Sequence, residues 1–194
     1  MIQHSDKFIG KFNDDKSVML DGTDKKSIIS AKDVTGYYGA GFSPKCDYYT
    51  LNYQGPGAPW SSVFSTLDIS FESALYDGSY EKQILKNYAF PSTKFITIKN
   101  DNGDEMNARM ITPADFDDSG DKKYPVFFEV YGGPDSQLVK QKYQIDFQTV
   151  ISSYGFVVVI VDGRGTGFKG RKYRSAVSMN LGKFEVDDQI AAAR

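Results

Sequence analysis

Nucleophilic catalysis by serine needs an exposed hydroxyl beside a base, and few residues of this chain could supply such a pair. His4 is the only histidine of the 194 residues, and no G-x-S-x-G segment is present. Ser152, Ser153 and Ser178 lack the strand–turn–helix context of a serine nucleophile. A Ser-His-Asp triad also needs an imidazole to accept the hydroxyl proton, and His4 is better explained as an exposed terminal residue. The sequence therefore predicts no complete triad, and neither metal-ligand spacing nor a cofactor is predicted.

A glycine-rich motif, GTGFKG at Gly165–Gly170, matches the G-x-G-x-x-G pattern after an apolar run. Asp187 and Asp188 follow about 20 residues later, which is the spacing of a dinucleotide-binding fingerprint. However, Asp162 and Arg164 crowd the turn, and a carboxylate there would repel a diphosphate. The acidic pair also falls in a segment with a helical pattern, whereas a ribose contact comes from a strand end. A tight turn permitted by the glycines is favoured, and dinucleotide binding is the alternative.

Two short apolar runs, Val126–Val130 and Phe156–Val161, determine how these residues are positioned. Both are rich in β-branched and aromatic side chains, which is typical of strands buried on both faces of a parallel sheet. The segment Leu138–Tyr154 is long enough for a crossover helix, and Gly155 stands where a helix ends. The pattern predicts a β-α-β unit with functional groups on the loops beyond the strand ends.

Tyr131 follows the first of these runs and precedes the turn residues Gly132, Gly133 and Pro134. A phenolic hydroxyl at the end of a strand can donate a hydrogen bond to a developing oxyanion. Most tyrosines in such a place simply pack against the sheet. From position alone, the packing role is favoured over the catalytic one.

The segment before this unit reads as short strands, which is typical of a sandwich, barrel or propeller. The chain is then divided into strands at 1–60, a linker at 61–93 that begins near the Gly/Pro-rich segment 54–60, and a third part at 94–194. The predicted upstream strands are Lys7–Phe12, Ser17–Leu20, Ser27–Ser30, Tyr37–Phe42 and Tyr48–Tyr53. Further predicted elements are a short helix within Leu75–Tyr88, a hairpin with arms Lys94–Lys99 and Met106–Thr112, a loop at Pro113–Lys123, and helices at Arg171–Asn180 and Phe184–Arg194.

The charge balance is nearly even, with 23 basic and 25 acidic residues and a formal charge of −2. No basic excess indicates a nucleic-acid partner. One cysteine allows no internal disulfide. The longest apolar run is far shorter than the ~20 residues of a membrane-spanning helix, so any membrane anchor is expected upstream of this chain.

The paired segments VYGGP (130–134) and DGRGTG (162–167), with LGKFEVDDQ (181–189), resemble the start of the catalytic domain of the dipeptidyl peptidase IV family. These are serine exopeptidases of the prolyl oligopeptidase clan, and the fungal dipeptidyl aminopeptidases are the most similar type. The upstream segment YYGAGFSPKCDYYTLNYQGPGAPW (37–60) resembles the last propeller blade of the same proteins. The resemblance covers about residues 18 to 194.

The resemblance implies an α/β fold in which the N-terminal half of an α/β-hydrolase domain follows the last strands of a β-propeller. It implies release of N-terminal dipeptides with proline or alanine second, a peptide substrate, a membrane anchor in the secretory or vacuolar pathway, and a homodimer as one assembly. It assigns Tyr131 to the oxyanion hole and leaves the triad outside this chain, so the chain alone is expected to be inactive. A relative without peptidase activity that serves as a binding protein is the alternative. In the family the strand at 126–130 has a further neighbour, without which it would be an unpaired edge that promotes association.

Overall fold

The computed structural model describes residues 16–17, 26–27, 36–68 and 70–194. The chain divides into two compact units. The first comprises residues 1–87 and 141–144, and the second comprises residues 88–140 and 145–194. In the described part of the chain, no helix is long and apolar enough to cross a membrane.

The first unit contains a four-stranded antiparallel sheet in the order β3 (Tyr38–Phe42), β4 (Tyr48–Tyr53), β5 (Trp60–Ser65) and β6 (Glu72–Tyr76), and a separate two-residue ladder of β1 (Lys16–Ser17) and β2 (Lys26–Ser27). Alternate side chains of β4 point to one face and form the core with β3 and β5, where Tyr49 stacks on Phe64 with ring centroids 5.3 Å apart. Such alternation is expected of a strand with one buried face. The helix α1 (Ser79–Asn87) follows β6.

The predicted linker at 61–93 is wrong at the level of secondary structure, because β5, β6 and α1 occupy most of it. The Gly/Pro-rich segment is a loop between two paired strands, since Tyr53 of β4 lies opposite Trp60 of β5. The predicted strands at 37–42 and 48–53 and the short helix within 75–88 are confirmed. The predicted strand at 7–12 lies outside the described residues, and β1 and β2 overlap the next two only at Ser17 and Ser27.

The second unit contains a mixed four-stranded sheet in the order β7-β8-β10-β9. Its strands are β7 (Ser92–Lys99), β8 (Glu105–Thr112), β9 (Val126–Glu129) and β10 (Val157–Asp162). The predicted hairpin is confirmed by the antiparallel pairing of β7 with β8, and the predicted parallel pair by β9 and β10. The sheet buries both faces of β10, because Val158 and Ile160 join one apolar cluster and Val161 joins another. Among the described strands, β9 pairs only with β10 and forms an edge of the sheet.

Most of the crossover between β9 and β10 has neither helix nor strand, and the predicted helix over 138–154 is wrong for its first half. The helix α2 (Phe147–Ser153) begins only after Asp146, whose side chain accepts a hydrogen bond from Thr149 N in a capping box. Residues 141–144 belong to the first unit, in which Tyr143 N donates to Gln54 O at 2.6 Å. Gly155 has φ +91° just after α2, as expected of a helix-ending glycine.

Two helices follow β10. The predicted helix at 171–180 is confirmed only in part, since α3 (Arg171–Ser175) ends five residues early and turns follow it. The predicted helix at 184–194 is confirmed as α4 (Phe184–Ala193). Residues 113–123 form a loop without helix or strand, as predicted.

Candidate functional site

The two glycine-rich turns leave the same edge of the sheet, as the parallel pairing of β9 and β10 requires. Glu129 and Ile160 lie opposite each other near the carboxyl ends of these strands. The turns are then joined by two backbone hydrogen bonds, from Asp135 N to Gly165 O at 2.9 Å and from Gly167 N to Ser136 O at 2.8 Å. The loop after β9 and the loop after β10 therefore form one connected site.

Tyr131 lies at the carboxyl end of β9, with 63% of its surface exposed. Gly132 follows with φ +64°, a backbone conformation that glycine adopts without strain. The phenol is therefore not in the packed interior and stands at the edge of the sheet where the two turns meet. A hydroxyl in this position can meet a ligand above the strand ends. The oxyanion role assigned to Tyr131 stays a prediction.

An ion pair between Arg164 and Asp188 holds the turn after β10. The Asp188 carboxylate is fully buried and accepts hydrogen bonds from Arg164 Nη2 at 2.7 Å, Nε at 3.0 Å and the backbone N at 2.7 Å. The ring of Phe184 lies 4.6 Å from the guanidinium carbon. Burial by itself would raise the pKa of Asp188, but the hydrogen bonds outweigh it and hold that pKa below its ordinary value.

Asn100, in the turn of the β7–β8 hairpin, is the residue of this network that sequence reasoning missed. Its side-chain N–H donates to Asp188 Oδ1 at 2.9 Å, and its own Oδ1 accepts from Asp104 N at 2.8 Å. The sequence shows only a turn-forming asparagine there, because its partner is 88 residues away. Asn100 thus connects the hairpin turn to α4 and to the turn after β10.

Asp162 anchors the start of the crossover. Its carboxylate accepts backbone hydrogen bonds from Leu138 at 3.0 Å and Val139 at 2.9 Å. Burial raises the pKa of Asp162, and the two N–H donors counter part of that rise. The hydroxyl of Tyr173 donates to the backbone oxygen of Asp162 at 3.0 Å. The carboxylate thereby fixes the backbone at 138–139 against the carboxyl end of β10.

The geometry of the glycine motif favours the tight-turn interpretation over dinucleotide binding. Thr166 is buried, and its hydroxyl donates to Gly163 O at 2.7 Å, so the turn is filled by its own side chain. Asp188 is buried against Arg164 and is not available to a ribose. The helix after the motif has only five residues, which is short for a phosphate-binding helix.

Two of the candidate serines, Ser152 and Ser153, lie in α2. Ser152 is completely buried, and the Ser153 hydroxyl donates to Val150 O at 2.7 Å. Glu185 accepts from Gly182 N at 3.0 Å at the start of α4, and Asp135 pairs with Arg174 at 3.3 Å. Ser178 is exposed, and His4 lies outside the described residues. Within the described ranges, no group of three acidic, histidine or cysteine side chains could hold a metal ion.

Comparisons with known proteins agree on one family. Residues 143–194 match the model of the prolyl oligopeptidase family. The chain is 44% identical to "Probable dipeptidyl-aminopeptidase B" of Coccidioides posadasii and 41% identical to the protein of that name in Trichophyton verrucosum, in each case over 92% of this chain. The matches cover 19% and 20% of those proteins, so the chain spans about a fifth of their length.

The structural comparison gives the same relationship. The crystal structure of Porphyromonas gingivalis dipeptidyl peptidase 4 matches with a TM-score of 0.81 and 36% identity, over 92% of this chain and 25% of that chain. The mixed α/β character of the second unit agrees with this relationship. The resemblance found in VYGGP and DGRGTG is thereby confirmed, and the chain belongs to the dipeptidyl peptidase IV family of the prolyl oligopeptidase clan.

Proposed function

We propose that this chain is part of a serine-type dipeptidyl aminopeptidase that removes N-terminal dipeptides with proline or alanine in second position. The relatives named as dipeptidyl aminopeptidases support the reaction class. The observation that carries the proposal is the exposed phenol of Tyr131 at the carboxyl edge of the sheet. In this role, its hydroxyl donates to the oxyanion of the tetrahedral intermediate.

The two units fit the two parts of such an enzyme. The antiparallel sheet β3–β6 is assigned to a propeller blade, and residues 94–194 to the first part of an α/β-hydrolase domain. The nucleophilic serine and its aspartate and histidine partners are assigned to a longer protein that carries this chain. That protein is expected to have a membrane anchor in the secretory or vacuolar pathway, a peptide substrate and a homodimeric form.

In the proposed reaction, the serine oxygen attacks the carbonyl carbon of the second residue, and negative charge develops on the carbonyl oxygen. Tyr131 stabilises that charge by donating a hydrogen bond to it from the carboxyl edge of the sheet. Losing one oxyanion donor typically costs about 2.7–4 kcal/mol, or roughly 10²–10³-fold in kcat. This is the magnitude to expect when the Tyr131 hydroxyl is removed.

The test uses the complete protein and the substrate Ala-Pro-p-nitroanilide. Tyr131→Phe should lower kcat by about 10²–10³-fold and leave KM nearly unchanged. Tyr154→Phe is the matched control, because Tyr154 is an exposed tyrosine just after α2. A Tyr131→Phe variant as active as the control would refute the role of Tyr131. A complete protein without hydrolytic activity would favour the binding-protein alternative, and the present chain alone should hydrolyse nothing.

A further inference from the structure

We propose that Gly133 is a positioning residue for Tyr131: the missing side chain of Gly133 leaves the space in which the Tyr131 ring rests. The inference rests on the proposed function and goes beyond it, because it names the feature that fixes the position of the hydroxyl. A Cβ atom built on Gly133 would lie 2.7 Å from Cε1, 2.9 Å from Cζ and 3.0 Å from the hydroxyl oxygen of Tyr131. Contacts below 3.0 Å are incompatible with both groups remaining in place.

The backbone at Gly133 cannot relieve this contact without breaking hydrogen bonds. Gly133 O accepts from the backbone N of Ser136 at 3.1 Å and also from the Ser136 hydroxyl. The next residue but one, Asp135, donates its N–H to Gly165 O at 2.9 Å. Since Gly165 lies beside the buried Arg164–Asp188 pair, the turn after β9 is tied to a rigid part of the unit.

The ring of Tyr131 is therefore the group that moves. Tyr131 is largely exposed, so its side chain can swing towards solvent at little cost in packing. The φ angle of Gly133 lies outside the left-handed region, unlike that of Gly132 at +64°, so alanine at 133 meets no such backbone strain. Gly133→Ala should thus displace the phenol and leave the fold intact.

The displacement bears on catalysis because an oxyanion donor acts only from a precise position. A misplacement of about 1 Å can cost roughly 10²-fold in rate, and loss of the donor costs about 10²–10³-fold. We expect Gly133→Ala to lower kcat by about 10–10²-fold with KM within about twofold. Because the effect passes through the hydroxyl, Gly133→Ala should have no further effect when Tyr131 is already phenylalanine.

The experiment compares Gly133→Ala, Tyr131→Phe and the double variant in the complete protein. Gly57→Ala is the matched control, because a Cβ there would meet its nearest neighbour, the Tyr53 hydroxyl, at an ordinary 3.6 Å. A double variant equal to Tyr131→Phe supports the proposal. Additive losses in the double variant, or a Gly133→Ala variant as active as Gly57→Ala, would overturn it.

A second readout separates this inference from the proposed function. With 3-fluorotyrosine at position 131, Gly133→Ala should shift the ¹⁹F resonance, and Gly57→Ala should leave it in place. The shift is expected even in a protein that hydrolyses no substrate, in which case the proposed function fails and the steric relation stands. An unchanged resonance in Gly133→Ala would refute the positioning role whatever the activity.

Discussion

Asp188→Asn is the sharpest test of how the turn after β10 is held. The fully buried carboxylate of Asp188 accepts from three nitrogens of Arg164, one of them in the backbone, and from Asn100. An asparagine keeps one acceptor oxygen but points an N–H group at these donors. It also removes the negative charge opposite the guanidinium of Arg164, a residue of which only 9% is exposed.

The expected loss of unfolding free energy follows from that geometry. Breaking a buried ion pair by removing one partner costs about 3–5 kcal/mol, because the other charge stays buried without compensation. Arg164 keeps a second contact, with Asp104 at 3.9 Å, but that carboxylate is half exposed and compensates weakly. Because this contact remains and the asparagine keeps one acceptor oxygen, we expect a loss near the lower end, about 3 kcal/mol.

The assay is urea denaturation at submicromolar protein concentration, where self-association is suppressed. Asp187→Asn is the matched control: Asp187 is the exposed neighbour of Asp188 in α4 and should cost less than about 1 kcal/mol. Equal losses in the two variants would refute the account of the buried pair. So would a loss below about 1 kcal/mol in Asp188→Asn, since that is the value of an exposed pair.

Acid pH, the sheet edge, the α2 cap and a strained glycine give four further expectations. The folded-state pKa of Asp188 is lowered, so its contribution to the free energy of unfolding is complete above its unfolded pKa of about 3.9 and is lost as pH falls through the folded pKa. The difference in unfolding free energy between the unmodified protein and Asp188→Asn should therefore become smaller in acid. A difference that stays constant from pH 7 to pH 3 would contradict this. Val126→Lys, at the 59% exposed start of the edge strand β9, should reduce self-association of the chain in sedimentation velocity; unchanged association would place the contact elsewhere. Asp146→Ala should lower the unfolding free energy by about 1–2 kcal/mol in urea denaturation, because it removes the N-cap of α2 and one partner of Arg109. An unchanged unfolding free energy would refute the stabilising role of this cap. Gly165→Ala should lower the unfolding free energy by about 1–3 kcal/mol or more. The φ of Gly165 is +96°, and a Cβ there would lie 2.8 Å from Val177 Cγ1. An unchanged unfolding free energy would show that the turn can relax.

The sequence predicted those elements whose local residue preferences agree with their long-range pairing, such as β10 and the end of α2. The run at 156–161 is apolar without interruption. β8 and β9 pair with the two edges of β10, while Val139 and Ile151 pack against one of its faces and Ala192 against the other. Gly155 ends α2 because its left-handed conformation is cheap for glycine alone. The position of Tyr131 at the strand end also followed from the sequence, whereas its exposure did not.

The wrong predictions fall where a distant partner decides the local structure. Gly and Pro punctuate a hairpin loop and a linker in the same way, so the segment 54–60 could not reveal that β4 pairs with β5. The start of the crossover has a helical pattern, but Tyr143 N, which a helix would pair with residue 139, donates to Gln54 O instead, 89 residues away in the chain. Nothing around Asn100 signals that it contacts Asp188.

The wide sequence separation of Asn100 and Asp188 has a consequence for biosynthesis. On the ribosome, the hairpin turn at residue 100 emerges 88 residues before the carboxylate that it binds. At about 5–20 residues per second, that interval lasts roughly 4–18 s. During that time the Asn100 side chain lacks its Asp188 partner, and Arg164, made 24 residues before Asp188, lacks the same carboxylate for the last part of the interval. The nascent chain therefore passes through a stage in which β10 is complete but the turn after it is not yet held by Asp188.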